Sequence, residues 1–290
     1  MRVAPIGVFD SGVGGLTVLR ELRVRLPRED FIYLGDTARL PYGTKSAQTV
    51  VRYSLQCAAA LVARGIHCLV VACNTASASS LQALRAQYPA LPVIGVIEPG
   101  AEAAVAASES QHIAVIATEG TIQGGAYEAA IHRLNPTARV SSLACSLFVA
   151  LAEEGWTHGA IAEAVARRYL QPMFESGART DGVADGTPAG VADTLVLGCT
   201  HFPALAESIR AVLPPHVRIV DSAGTAATAV MRELERRRSD AGAGGATQAS
   251  VEGRGHITLL ATDGAARFAR VGSGFLGESL AAEAVQIVDL

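Results

Sequence analysis

The sequence predicts an α/β fold built from open, mostly parallel sheets, and three observations predict it. Apolar runs of about five residues alternate with longer amphipathic stretches along the chain. Several of these runs, such as LVVA at 69–72, are apolar without alternation, as a sheet covered on both faces requires. Two segments repeat one pattern. CLVVACNTAS from Cys68 and TLVLGCTHFP from Thr194 each end a buried-type strand with a cysteine closely followed by threonine, and a helix follows each. Ligands of open α/β sheets bind at the C-terminal ends of the strands. The two cysteines therefore either face one cleft from two similar halves or are separate core residues at two strand ends.

In order, strands are expected at 3–9, 31–34, 68–72, 93–96, 113–117, 138–143, 194–197, 217–220 and 257–260. Helices are expected at 16–26, 46–64, 76–87, 101–106, 124–134, 148–154, 158–174, 204–213 and 224–237. The first strand runs into the glycine-rich GVFDSGVGG from Gly7, a turn that can aim backbone N–H groups at an anion. It lacks the spacing of a dinucleotide loop and the Lys-Ser/Thr of a P-loop. Asp10 at the strand end would repel a pyrophosphate and suits an ammonium or acid/base work, and both Asp10 and Ser11 also read as helix-capping or turn residues. The second strand runs into GDTARLPYGTKS from Gly35, where Pro41 and Gly43 fix a turn around Tyr42. This loop is either a rigid connector with a packing tyrosine or a carboxylate site that uses the Gly43 N–H.

Cys73 and Cys199 carry the strongest chemical signal. Each lies between a strand and a helix start, where the positive helix end favours a thiolate. Asn74 and Thr75 follow the first, and Thr200 and His201 the second. His201 can exchange a proton or stabilise a charged thiol. The biased stretch at 235–255, ERRRSDAGAGGATQASVEGRG, reads as an exposed, flexible loop after a charged helix end.

Composition bounds the function. The chain has 290 residues, 50% hydrophobic and 18% charged, with Lys+Arg 24 against Asp+Glu 27 and a net charge of -3. A core is affordable, disorder is disfavoured, and no positive field exists to collect nucleic-acid phosphates. Five cysteines, an odd and thinly spread number without a CxxC pair, fit neither a disulfide framework nor a zinc knuckle. The opening MRVAPIGVFDSG lacks a signal-peptide layout, and no apolar run approaches the roughly 18 residues of a membrane span. A cytoplasmic setting, with no membrane or nucleic-acid partner, is expected.

Taken together, GVFDSGVGGLTVL, YLGDTARLPYGTKS, VVACNTAS, VIGVIEPG, IAVIATEGT, LVLGCTHFPAL, VDSA and the terminal LATDGAARFARVGSGFLG cover nearly the whole chain. In them the sequence resembles the cofactor-independent aspartate/glutamate racemase superfamily, on its glutamate branch. The resemblance implies interconversion of L- and D-glutamate, supplying D-glutamate for peptidoglycan precursors, in a homodimer. Neither pyridoxal phosphate nor a metal is expected, because lysines are scarce and Lys45 has no phosphate pattern beside it. The resemblance further implies two similar α/β subdomains with a pseudo-twofold relation and a cleft between them, one of residues 1–97 and 215–290 and the other of 98–214.

By the same resemblance Cys73 and Cys199 are the two acid/base thiols, assisted by Asp10 and by His201 respectively. Glu153 in CSLFVALAEEG is a further acidic catalytic residue, although Glu154 stands next to it. Ser11, Pro41, Tyr42 and Gly43 belong to the side-chain carboxylate site, and Asn74, Thr75, Thr121 and Thr200 to the head-group site. Ser146 and Phe202 depart mildly from the family pattern, which has proline and tyrosine there. Aspartate racemases, cysteine-dependent amidases or decarboxylases, and a non-catalytic amino-acid sensor are the competing readings.

Overall fold

Parallel strands whose side chains are buried on both faces form the frame of the protein. A computed structural model describes residues 4–174, 191–240 and 253–290. In chain order its elements are β1 (Ile6–Asp10), α1 (Leu16–Arg25), β2 (Phe31–Gly35), α2 (Ala47–Val62), β3 (Cys68–Val71), α3 (Asn74–Gln87), β4 (Val93–Gly95) and α4 (Ile97–Ala107). Next come β5 (His112–Ala117), α5 (Glu119–Gln123), α6 (Ala126–Leu134), β6 (Arg139–Ala144), α7 (Leu147–Glu153) and α8 (Ala160–Phe174). The chain continues through β7 (Thr194–Gly198), α9 (Ala206–Val212), β8 (Arg218–Asp221), α10 (Ser222–Asp240), β9 (Ile257–Ala261), α11 (Ala265–Leu276) and β10 (Val285–Ile287).

All strand pairs are parallel. A six-stranded sheet has the order β10-β9-β2-β1-β3-β4, and a four-stranded sheet the order β6-β5-β7-β8. The run β2-β1-β3-β4 repeats as β6-β5-β7-β8, so the molecule consists of two similar halves with a pseudo-twofold relation. In this correspondence β3, which delivers Cys73, matches β7, which delivers Cys199. The sequence echo at the two cysteines thus reflects equivalent sheet positions.

The same topology corrects the expected boundary at 215. β8 pairs with β7 along Leu195↔Ile219 and belongs to the second sheet, so the chain returns to the first half only after it. α10 then packs between α1 of the first half and α4. β9 and β10 extend the first sheet beyond β2.

Other differences have local causes. The helix expected at 124–134 begins at Ala126, because Gly125 sits at φ +60 and separates it from the short helix α5, which was not expected. α4 begins earlier than expected, since Pro99 falls within its first turn, where an N–H has no intrahelical acceptor. Cys199 is followed by a short 3-10 turn at Phe202–Leu205 before α9. The middle of the biased segment, 241–252, lies outside the described residues, while Glu235–Asp240 continue α10.

The core of the second half holds Phe148 edge-on to Phe202 at 5.3 Å, both fully buried. Such an aromatic pair contributes about 0.5–1.5 kcal/mol beyond burial itself. It also fixes the start of α7 against the turn that follows Cys199. Among the described residues no helix is long and apolar enough to cross a membrane.

Candidate active site

The C-terminal ends of the strands in both sheets meet at one cleft lined by Ser11, Pro41, Tyr42, Gly43, Cys73, Asn74, Thr75, Glu153, Cys199, Thr200 and His201. Of the residues expected from the sequence, only Asp10 and Thr121 lie behind this surface. Both reach it through one neighbour.

On the first wall, Asp10 ends β1 and is fully buried. The glycine-rich turn closes around its carboxylate, and Gly12 N–H donates to Asp10 Oδ2 at 2.9 Å. The anion held by that turn is therefore the protein's own side chain. Burial holds the Asp10 carboxyl above its ordinary range against the nearby His201 and the turn N–H groups. Asp10 Oδ1 has no hydrogen-bond partner among the described residues.

Cys73 caps α3, and its Sγ lies 3.6 Å from Ser11 Oγ. Burial and the Asp10 charge push its thiol up to about 12, outweighing the Ala76 N–H and Ser11 hydroxyl. Cys73 thus rests as a thiol, loaded with a proton.

The opposite wall is arranged differently. Cys199 Sγ lies 3.9 Å from His201 Nδ1, and His201 Nε2 lies 3.2 Å from Glu153 Oε1. Burial works to lower the His201 pKa, yet the Cys199 and Glu153 contacts and the Cys199 and Asp10 charges together push it up to about 10. The hydrogen bond to His201 draws the Glu153 carboxyl below its ordinary range. Glu153, the last residue of α7, makes these contacts, which separates it from Glu154 beyond the helix end. Gly14 stands against this pair. A Cβ there would lie 2.5 Å from both His201 Nδ1 and Thr200 Oγ1, so only glycine lets the first half approach so closely.

Hydroxyls and amides fill the seam between the halves. Thr75 Oγ1 lies 3.0 Å from Thr118 Oγ1 and 3.1 Å from Thr121 Oγ1, which puts Thr121 one bond behind the cleft. Tyr127 OH donates to Asn74 Oδ1 at 2.8 Å, and the Asn74 amide nitrogen donates to Ser222 Oγ at 3.4 Å. The Leu40–Pro41 peptide is cis. Tyr42 OH donates to the buried Asp36 carboxylate, so the phenol faces inward and the turn offers its backbone and ring edge to the cleft.

Sequence reasoning missed Asp36, Thr118, Tyr127 and Arg267. Asp36 and Thr118 directly follow strands β2 and β5, the position that singled out Asp10, and that signal could have found them. Tyr127 and Arg267 sit on helices far along the chain and carry no local mark. Among the described residues, no group of three His, Cys, Asp or Glu side chains gathers as a metal site.

Comparison with known proteins agrees with this architecture. Residues 14–230 match the model of the Asp/Glu/Hydantoin racemase family. A glutamate racemase from Geobacter metallireducens is 50% identical over 275 residues, covering 95% of this chain and 93% of its own. The crystal structure of glutamate racemase from Francisella tularensis in complex with D-glutamate superimposes with a TM-score of 0.83 at 35% identity, covering 99% of this chain and 97% of that one. The Escherichia coli enzyme, solved with L-glutamate and an activator, superimposes with a TM-score of 0.70 at 31% identity, over 94% of this chain and 96% of that one. With the repeated strand order and the facing cysteine motifs, these likenesses place the chain in the aspartate/glutamate racemase superfamily, on its glutamate racemase branch.

Proposed function

We propose that the protein interconverts L- and D-glutamate by a two-base mechanism without pyridoxal phosphate or metal. The observation that carries this reading is the pair Cys73 and Cys199, delivered by equivalent strands of the two halves to one cleft. Racemisation takes the α-proton from one face and returns a proton to the other. One thiol must therefore be ionised while its partner is protonated, with roles exchanged by direction. Cys73 beside Asp10 and Cys199 beside His201 are the pair placed to exchange these roles.

In the D-to-L direction Cys73 abstracts and Cys199 returns the proton; in the L-to-D direction Cys199 abstracts. His201, held by Glu153, stabilises the charge that appears and disappears on Cys199. Asp10, buried directly behind the Cys73 wall with Oδ1 unpartnered among the described residues, assists the acid/base work of Cys73. The α-proton is weakly acidic, so charge developing on the head carboxylate needs aimed donors. Asn74 with Thr75, Thr121 and Thr200 provides them, while Ser11, Pro41, Tyr42 and Gly43 form the distal carboxylate site.

We further propose that the enzyme works in the cytoplasm as a homodimer and supplies D-glutamate to peptidoglycan precursors. The test is circular dichroism of either enantiomer with dialysed, chelator-treated protein. Loss of optical activity from both, with solvent deuterium entering Cα, is the expected result. Activity that returns only with an added cofactor rejects the mechanism, faster turnover of aspartate rejects the substrate, and binding without exchange identifies a sensor.

A further inference from the structure

The C-terminal helix α11 touches the Cys199 wall twice, and neither contact belongs to the substrate site. Arg267 donates to Glu153 Oε2 at 2.7 Å, on the oxygen opposite the one facing His201. About two turns further on, Phe275 packs edge-on to the His201 ring at 5.1 Å and 75°. α11 packs on α1 and β10 of the first half, whereas Glu153 and His201 stand on the second. Arg267–Glu153 is therefore an ion pair that crosses the cleft between the halves and ends on the acid/base group of only one thiol. Among the described residues no such ion pair ends on the Cys73 wall, where Asp10, the Ala76 N–H and Ser11 act on the thiol.

We propose that Arg267 is a positioning residue that sets the proton affinity and orientation of the Glu153–His201–Cys199 chain, and so tunes one of the two proton transfers selectively. The proposal rests on the two-base reading above. Arg267 touches no reacting atom. Its cation neutralises Glu153 from behind, while Phe275 keeps the imidazole plane fixed. The titratable groups facing His201 are Glu153 from α7, Cys199 from the end of β7 and Asp10 from β1; α11 adds Arg267 through Glu153. Removing the cation makes every proton-binding group in this chain hold its proton more tightly. The pH limb of the Cys199 step then moves upward.

Racemisation alone cannot read this effect. Because the two enantiomers have equal free energy in water, kcat/KM must change equally in both directions. A glutamate analogue with a halide at Cβ separates them. Abstraction of the α-proton then expels halide from Cβ, leaving an enamine that hydrolyses to a keto acid and ammonium, with no reprotonation from the opposite face. Halide release is measured from each enantiomer across pH for wild type, Arg267→Ala, Arg267→Lys and Arg270→Ala, the last removing an exposed charge from the same helix.

For Arg267→Ala the enantiomer served by Cys199 should lose about three- to tenfold at neutral pH, with its limb raised by up to about one unit, the scale of a partly exposed ion pair. The other enantiomer should stay within about twofold. Lysine should restore most of the loss, and Arg270→Ala should match wild type. Equal losses for both enantiomers, an unshifted limb, or the same effect from Arg270→Ala would overturn the proposal. Wild type that releases halide from neither enantiomer refutes the two-base reading itself.

Discussion

Tyr42 donates its hydroxyl to Asp36, a fully buried carboxylate, and this bond turns the phenol hydroxyl away from the cleft that its ring edge lines. Arg39 Nε reaches the same carboxylate at 2.7 and 2.9 Å, and Thr262 Oγ1 donates at 3.0 Å. Arg39 also lies 4.2 Å over the Tyr53 ring. Asp36 thus gathers the turn after β2, the middle of α2 and the end of β9 beneath the Pro41–Gly43 turn. Tyr42→Phe should lower stability by about 1–2 kcal/mol, because a buried acceptor loses one donor. Its KM for glutamate should rise no more than about threefold. Urea unfolding beside steady-state kinetics checks this. A large rise in KM at unchanged stability would mean that the hydroxyl contacts the substrate.

Gly14 offers a second test, on the other wall. Its missing Cβ is the space occupied by His201 and Thr200. Gly14→Ala should push the imidazole off Cys199 and lower kcat by about 100-fold, the scale of a misplaced acid/base group. Thermal unfolding should move far less. Kinetics close to wild type would show that the turn can yield at no cost to the site.

Much of this was legible because two constraints are local. A buried parallel strand is written as an apolar run, and a functional strand end as a polar residue placed straight after it. Asp10, Cys73 and Cys199 all have that signature. Strand pairing has no such mark, so the membership of β8 in the second sheet could not be read from Arg218–Asp221 alone. α11 was not expected as a helix, for its AARFARVGSGFL contains two glycines and ends at Gly277. The three residues of β10 are too few for any period to show. The inward turn of the Tyr42 phenol depends on Asp36, and nothing in PYG encodes the direction of that bond.

Asp193 reports on how the second half is tied together. It precedes β7 and accepts from Ser108 Oγ at 2.7 Å, Glu109 N–H at 2.7 Å and Ser110 N–H at 2.6 Å. Burial opposes ionisation, but these donors hold its carboxyl down at about 2. A group with a depressed folded pKa contributes stability that is fully present above its unfolded pKa and lost as pH falls through the folded value. Asp193→Ala should cost about 1 kcal/mol at pH 7, the site being partly exposed and screened. The gap to wild type should close between about pH 4 and pH 2. A gap that persists at pH 2 would trace the loss to packing instead.

The protonation of Cys73 can be observed directly. With its thiol near 12, alkylation by iodoacetamide should be slow at pH 7 and rise about tenfold per pH unit to pH 10. Cys57, Cys68 and Cys145 are also held near 12 but are completely buried, so peptide mapping should find them unlabelled while the fold persists. A Cys73 rate already constant above pH 8 would mean that the empty site holds a thiolate.

The assignment of each thiol to one face of the substrate rests on separating two steps that racemisation couples. Serine in place of either cysteine should reduce racemisation by at least about 1000-fold, since an alkoxide is not accessible near neutral pH and both steps are needed. Halide elimination needs only one abstraction, so the surviving thiol can still act on the enantiomer whose α-proton it faces. Cys73→Ser should eliminate from the L-halogenated analogue, and Cys199→Ser from the D-analogue. Deuterium at Cα should slow each surviving reaction, because breaking that bond is then the only chemical step the remaining base performs. The two variants should differ in pH behaviour as well. The step left in Cys199→Ser depends on ionising a thiol held near 12 and should climb with pH. Elimination lost equally from both enantiomers in both folded variants would count against independent facing bases. The reverse enantiomer pattern would keep two bases and exchange their faces, moving the His201–Glu153 chain to the D-glutamate step.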